Sequence, residues 1–261
     1  MTFSTPTLTL DENLAVARRL GYEGIEPRTV CSHGHGVELE ATAARRREIR
    51  ATAEDAGIVL CCIATSCRYA DPATTGAMTE DTLRYIDLAG DVGSPAIRVF
   101  GGALPEGVSR EQATDLLVRA LDAVADRAAQ RAVTVCIETH DDWCHPAHLA
   151  AVMRQVNHSA IAINWDIMHP VHRGGATMDE AFETLKPWIR HLHVHDGATR
   201  DGQWVLVPVG EGDIDHRRAL ELLDTLGYGG YVSGEWIDWE PYETHLPREL
   251  ARLKAAEVVQ G

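Results

Sequence analysis

Four short segments decide the fold of this chain: VTVCIE at Val133–Glu138, AIAINWD at Ala160–Asp166, RHLHVH at Arg190–His195 and YVSGE at Tyr231–Glu235. Each is an apolar run that gives way to polar loop. Glu138, Asp166, His193 and Glu235 stand at or beside that transition. Runs of this kind read as strands buried on both faces, the habit of parallel sheets. In a parallel barrel the C-terminal strand ends open into one mouth, so these four side chains are expected to meet there. Three carboxylates and an imidazole suit a hard or borderline divalent cation.

Outward from these segments, short β-rich runs alternate with helical ones eight times. Thr2–Thr5 reads as a weak first strand, before a helix over Asp11–Leu20 capped by Asp11 and stopped at Gly21. Gly24–Arg28, Ile58–Ala64 and Ala96–Phe100 read as the second, third and fourth strands. The helices between them are expected at Glu38–Ala56, Thr79–Val92 and Ser109–Arg131, the last opened by a capping box at Ser109–Gln112. Later helices are expected at Pro146–Val156, Met178–Leu185, His216–Leu226 and Glu249–Val259. This alternation predicts a parallel sheet closed as a single (β/α)8 barrel over residues 1–261, with no linker.

Composition agrees with a soluble enzyme: 45% of the 261 residues are apolar and 24% are charged. The net charge of -15 argues against nucleic acid or an anionic membrane as the main partner. No run approaches a membrane span, and the opening MTFSTPTLTLDEN has no signal-peptide pattern. Six cysteines lack a secreted-domain spacing, and Cys61, Cys62 and Cys136 lie in apolar strands. Reduced, buried thiols and a cytoplasmic location are expected.

The candidate site residues each carry an alternative. Glu138, in IETHDDW, can cap the next helix, but His140, Asp141 and Asp142 make a polar cluster around it. Asp166 and His169 form an Asp-x-x-His pair whose members can reach one centre. Asp166 alone could be a structural turn residue; with His169 beside it, it is read as ligand. His169 is open between ligand, partner of a ligand, and donor to substrate oxygens. In HLHVHD, alternation puts His191, His193 and His195 on one face. His193 is read as ligand, His195 as a contact of either the substrate or a metal ligand, and His191 as structural. Trp143, Trp165 and Trp236 each lie within five residues of a proposed ligand. They are core residues or an apolar wall over a sugar ring. Arg28, Arg98 and Arg200 are the cations nearest strand ends. They either grip an anion or hydroxyls of the substrate, or pair with barrel acids such as Glu26.

As a set, IETHDD, NWDIMHP, HLHVHD, VPVGEGDID and SGEW resemble the xylose-isomerase-like TIM-barrel superfamily of sugar isomerases and epimerases. GYEGIEPR and IRVFGG look like its second and fourth strands, so the resemblance covers nearly the whole chain. It implies one divalent metal on Glu138, Asp166, His193 and Glu235, with His169 on substrate. By analogy with the ketose 3-epimerases of this group, Glu138 and Glu235 also move the proton. The endonuclease IV branch has more ligands, including an Asp-x-His before the GEG loop. Here that segment reads Trp204–Val205–Leu206, which does not support a three-metal cluster.

The chemistry expected is proton abstraction beside a metal-chelated carbonyl, through an enediolate. Glu138 and Glu235 are the candidate bases, with His140 and His169 behind them. A small sugar or cyclitol is the expected substrate and isomerisation or epimerisation the expected outcome. Loss of a β-substituent on the same site, from an inosose, a dehydroshikimate-like acid or a 3-keto-glycoside, is the alternative. Softness favours Mn2+, with Mg2+, Co2+ and Zn2+ as alternatives. Barrels of this type often pair, which makes a homo-oligomer an expectation.

Overall fold

A computed structural model describes residues 1–257. In chain order the strands are β1 (Gly24–Ile25), β2 (Val59–Leu60), β3 (Ile63–Arg68), β4 (Ala96–Phe100), β5 (Thr134–Glu138), β6 (Ile161–Asp166), β7 (Ile189–Val194), β8 (Asp196–Arg200), β9 (Gln203–Val207) and β10 (Val232–Gly234). The helices are α1 (Leu10–Leu20), α2 (Ala43–Ala56), α3 (Thr75–Val92), α4 (Arg110–Gln130), α5 (Pro146–Val156), α6 (Met168–His172), α7 (Met178–Leu185), α8 (His216–Thr225) and α9 (Tyr242–Glu257).

The main sheet is parallel and runs β10-β7-β6-β5-β4-β3. β1 pairs in parallel with β2. An isolated bridge between Arg28 and Ala64 ties the segment after β1 to β3. Across the remaining gap, the Met1 ammonium donates to Gly234 O at 2.9 Å and Thr2 N–H donates to Glu26 O at 3.0 Å. The opening residues thereby link β10 to the end of β1. Helices pack on their neighbours in sequence, α1 on α2 through α4 on α5, then α5 on α7, α7 on α8 and α8 on α9. This is the α/β barrel the alternation predicted.

Strand alternation divides the barrel's two surfaces. Ile97, Val99, Val135, Ile137, Ile161 and Ile163 belong to the main apolar core, with Leu88, Leu117, Leu149 and Phe182 of the helices. Their neighbours in the strands face the axis. Cys62, Ala96, Cys136 and Ala162 form a separate small apolar cluster at its floor. Above this floor the axial side chains become polar, and they remain buried.

Several boundaries differ from expectation. Thr2–Ser4 is a turn of 3-10 helix rather than a strand. Local bonds from Ser4 N to Met1 O and Thr5 N to Thr2 O take its donors, and Pro6 has none to give. Helix α1 is capped by Thr9, not Asp11: Thr9 Oγ1 accepts from Glu12 N at 3.3 Å, and Glu12 accepts from Thr9 N at 2.8 Å. The third barrel segment is split into β2 and β3. Helix α2 starts at Ala43 behind a Thr42 cap, and α3 starts at Thr75. Helix α9 begins earlier than expected; Val258 and Val259 lie outside the described residues. The antiparallel pair β8–β9 was not expected. Its Asp201-Gly202 turn has φ of 52° and 76°, the positive values an Asp-Gly hairpin turn of type I′ requires.

Replacing Thr9 by Ala removes one half of the α1 capping box. Urea unfolding should then show a loss of about 1 kcal/mol with an unchanged m-value.

Candidate metal centre and active site

Glu138 ends β5, Asp166 ends β6, His193 lies in β7 and Glu235 follows β10. Register brings them level: Asp166 pairs with His193, and His193 with Ser233. One donor atom from each of the four lies within 4.8 Å of the others. Glu138, Asp166 and His193 are fully buried, and Glu235 is nearly so.

His193 is the hub. Its Nδ1 is 2.8 Å from Glu138 Oε1 and 3.5 Å from Glu235 Oε2, while its Nε2 is 3.0 Å from Glu26 Oε1. Arg98 supplies a second positive charge, with Nε 3.2 Å from Glu138 Oε2. Asp166 accepts from Met168 N at 2.9 Å and His169 N at 3.3 Å through Oδ1. Its Oδ2 has no hydrogen-bond partner and lies 3.5 Å from His195 Nε2 and 3.9 Å from His169 Nε2.

The electrostatics follow from burial opposed by these contacts. Burial alone would raise the Glu235 carboxyl, but His193, Arg98 and His195 together hold it below its ordinary value. Asp166 is likewise lowered, with burial outweighed by His195 and His169. Burial would lower His193, yet Glu26 and Glu138 hold it well above the usual histidine range. His169 is lowered chiefly by burial. His140 is raised: burial acts against it, but the hydrogen bond to Asp141 and the Glu138 charge prevail.

The structure separates the other expected site residues. His140, His169 and His195 join Phe100 in a continuous row of rings, with centroids 5.0, 4.5 and 5.7 Å apart in the order Phe100, His140, His169, His195. The three tryptophans are core residues. Trp143 packs on Gly101, where a Cβ would strike the indole, and donates to Gly102 O at 2.9 Å. Trp165 is on the outer face of β6, 5.9 Å from the Phe182 ring. Trp236 lies against Gly234 and lines a cavity of about 280 Å³ beside β1, β10 and α9. Arg98 is engaged below Glu138, donating to Thr65 O at 2.9 Å. It is therefore a brace for that carboxylate. Arg28 donates to Ser66 Oγ at 2.7 Å and to the carbonyls of Thr29 and Ala64, with no pairing to Glu26. Arg200 is exposed at the β8–β9 turn, away from the buried cluster.

Two functional placements escaped sequence reasoning. Glu26 contacts His191 and His193 from across the barrel; its position in GYEGIEP, at a strand end, was the available clue. Asp196 gathers the N–H groups of Gly197, Gly210, Gly212 and Ile214 at 2.8, 2.8, 3.0 and 3.3 Å. The GEGD loop is thus wrapped around a buried carboxylate.

A divalent cation fits this donor set. The oxygens are hard and buried, and Glu138 Oε2 and Asp166 Oδ2 lack hydrogen-bond partners. A model of the family described as xylose isomerase-like TIM barrel matches residues 14–256. The chain belongs to that family. Among xylose isomerase-like relatives, the 3-dehydroshikimate dehydratase of Bacillus anthracis is 26% identical over 160 residues, covering 54% of this chain and 55% of that protein. The chain thus spans little more than half the length of that curated relative. The L-ribulose-5-phosphate 3-epimerase UlaE of Salmonella typhimurium is 23% identical over 259 residues, covering 96% of this chain and 86% of that protein. Two solved structures share the fold. One, from Mycobacterium smegmatis in complex with magnesium, has a TM-score of 0.74 at 18% identity and covers 96% of this chain and 89% of its own. The other, the IOLI protein with a zinc atom, has a TM-score of 0.78 at 17% identity and covers 99% and 95%.

Cation binding at this cluster must displace the proton that Glu138 and Glu26 favour on His193. Because that proton is held above the ordinary histidine range, the competition eases as pH rises. Mn2+ titrations by calorimetry in buffers of different ionisation enthalpy should show proton release at neutral pH and tighter binding at higher pH. Affinity that falls as pH rises toward 8 would contradict the assignment.

Proposed function

We propose that the chain is a divalent-metal-dependent isomerase or epimerase of a keto sugar or polyol-derived ketone. The observation that carries this reading is the buried convergence of Glu138, Asp166, His193 and Glu235 at the strand ends. These four would hold the ion, with Mn2+ proposed by donor softness. When bound, the ion supplies Lewis acidity toward a carbonyl and its neighbouring hydroxyl.

The rest of the chemistry belongs to side chains. Glu235, held ionised, and Glu138 are the proposed proton acceptors for a C–H beside the carbonyl. Abstraction by one glutamate and delivery of a proton to the opposite face by the other, in its acid form, gives the epimer; return of the abstracted proton to the adjacent carbon gives the isomer. The row Phe100, His140, His169 and His195 takes the place of the expected tryptophans as the wall over the substrate. His169 and His195 present imidazole nitrogens without hydrogen-bond partners, suited to hydroxyl oxygens. The proposed protein is one barrel unit over residues 1–261, acting on a small molecule in the cytoplasm. All six cysteines are free and five are buried, in keeping with a reducing compartment. Among the described residues no helix is long and apolar enough to cross a membrane.

A specific observation favours elimination as the second reading. His140, raised by Asp141 and Glu138 against the effect of burial, stands in the ring row beside Phe100 and His169, where an imidazole can act as the acid toward a departing hydroxyl. The dehydratase relative is similar over half of the chain.

Incubation of the Mn2+-loaded protein with ketoses and cyclic ketones in D2O separates the two. Deuterium entering recovered sugar without a new ultraviolet chromophore is the expected result, whereas an enone or aromatic product establishes elimination. Chelation should abolish turnover and added Mn2+ restore it. Glu235→Gln should lower kcat roughly 10²–10⁴-fold; full turnover in that variant would remove Glu235 from the site.

A further inference from the structure

We infer that Glu26 is the positioning residue of the metal centre, holding His193 by its Nε2 hydrogen so that Nδ1 is the nitrogen offered to the cation. The inference rests on the proposed metal-dependent reading and adds to it a residue outside the four-donor set.

Glu26 follows β1 and is fully buried. Its two oxygens are divided between two imidazoles of β7. Oε1 lies 3.0 Å from His193 Nε2, and Oε2 lies 2.9 Å from His191 Nε2. An ionised carboxylate only accepts, so both Nε2 atoms must donate. On His193 this assigns the Nε2 hydrogen to Glu26. The atom left facing Glu138 and Glu235 is Nδ1, at 2.8 and 3.5 Å. A ring presented by Nδ1 toward two carboxylates and anchored by Nε2 on a third is the carboxylate–histidine–metal arrangement that fixes tautomer and ring orientation.

His191 gives the anchor its rigidity. Alternation along β7 puts His191 and His193 on the same face, with ring centroids 5.4 Å apart at 77°. One carboxylate spanning both rings cannot rotate without breaking a hydrogen bond. Glu26, His191 and His193 also lie close enough to hold an ion themselves. Both Glu26 oxygens are already hydrogen-bonded, however, whereas the four-residue set contains Asp166 Oδ2, which accepts no hydrogen bond. The cation therefore belongs on the Nδ1 side.

The test compares wild type with Glu26→Gln and Glu26→Asp. An amide oxygen can accept from one ring, but the amide nitrogen opposes the other. Mn2+ titration should show roughly 10–100-fold weaker binding in Glu26→Gln and partial recovery in Glu26→Asp. In parallel, 15N-histidine spectra of Zn2+-loaded wild type should show His193 metal-bound at Nδ1 and protonated at Nε2. This measurement decides the matter even if Glu26→Gln fails to fold. Wild-type affinity in a folded Glu26→Gln protein, or zinc on Nε2 of His193, overturns the inference while leaving metal dependence standing. Failure of the wild type to bind Mn2+ or Zn2+ overturns the metal-dependent reading and this inference with it.

Discussion

Buried negative charge is the constraint around which this barrel is arranged. Glu26, Glu138, Asp166 and Glu235 are all withdrawn from water near one axis. Desolvated carboxylates are costly unless opposite charge and hydrogen bonds surround them. The chain meets that cost with His193 between three of them, Arg98 beneath Glu138 and two backbone N–H groups on Asp166. Arg98 is held between Glu138 Oε2 and Thr65 O, which explains why it braces an acid instead of reaching toward a ligand.

The same arrangement needs a continuous ring of strands. Glu26 meets His193 only because the segment after β1 and the centre of β7 face each other across the axis. The bonds from Met1 to Gly234 and from Thr2 to Glu26 join the ring on that side. Small side chains at the floor, Cys62, Ala96, Cys136 and Ala162, leave room above for the larger polar groups. The apolar energy of the fold lies mainly outside this axis, where strand and helix side chains interlock.

The strands that carry the cluster were readable because each changes character within one residue, as at Ile137–Glu138 and Trp165–Asp166. The same alternation bears on the tryptophans. Trp165 precedes an axial residue and so must face the helices, while Gly101 and Gly234 create the recesses that bury Trp143 and Trp236. Nearness in sequence to a site residue is no measure of access to the site. Glu26 was harder to interpret because its partner is 167 positions away, and no local pattern announces a pairing at that separation. The β8–β9 hairpin carried a local mark in Asp201-Gly202, but the eightfold alternation offered no slot for it.

Asp196 gives the region beyond β7 a peculiar independence. One carboxylate ties down Gly197 at the start of the excursion and Gly210, Gly212 and Ile214 at its return. Residues between these knots form a loop with both ends moored at a single point, and the mooring lies three residues from His193. Insertions, deletions or wholesale exchange within the hairpin can be absorbed there before reaching the geometry of the barrel. The excursion is therefore the natural cassette through which such a scaffold would acquire a different appetite without rebuilding its chemistry.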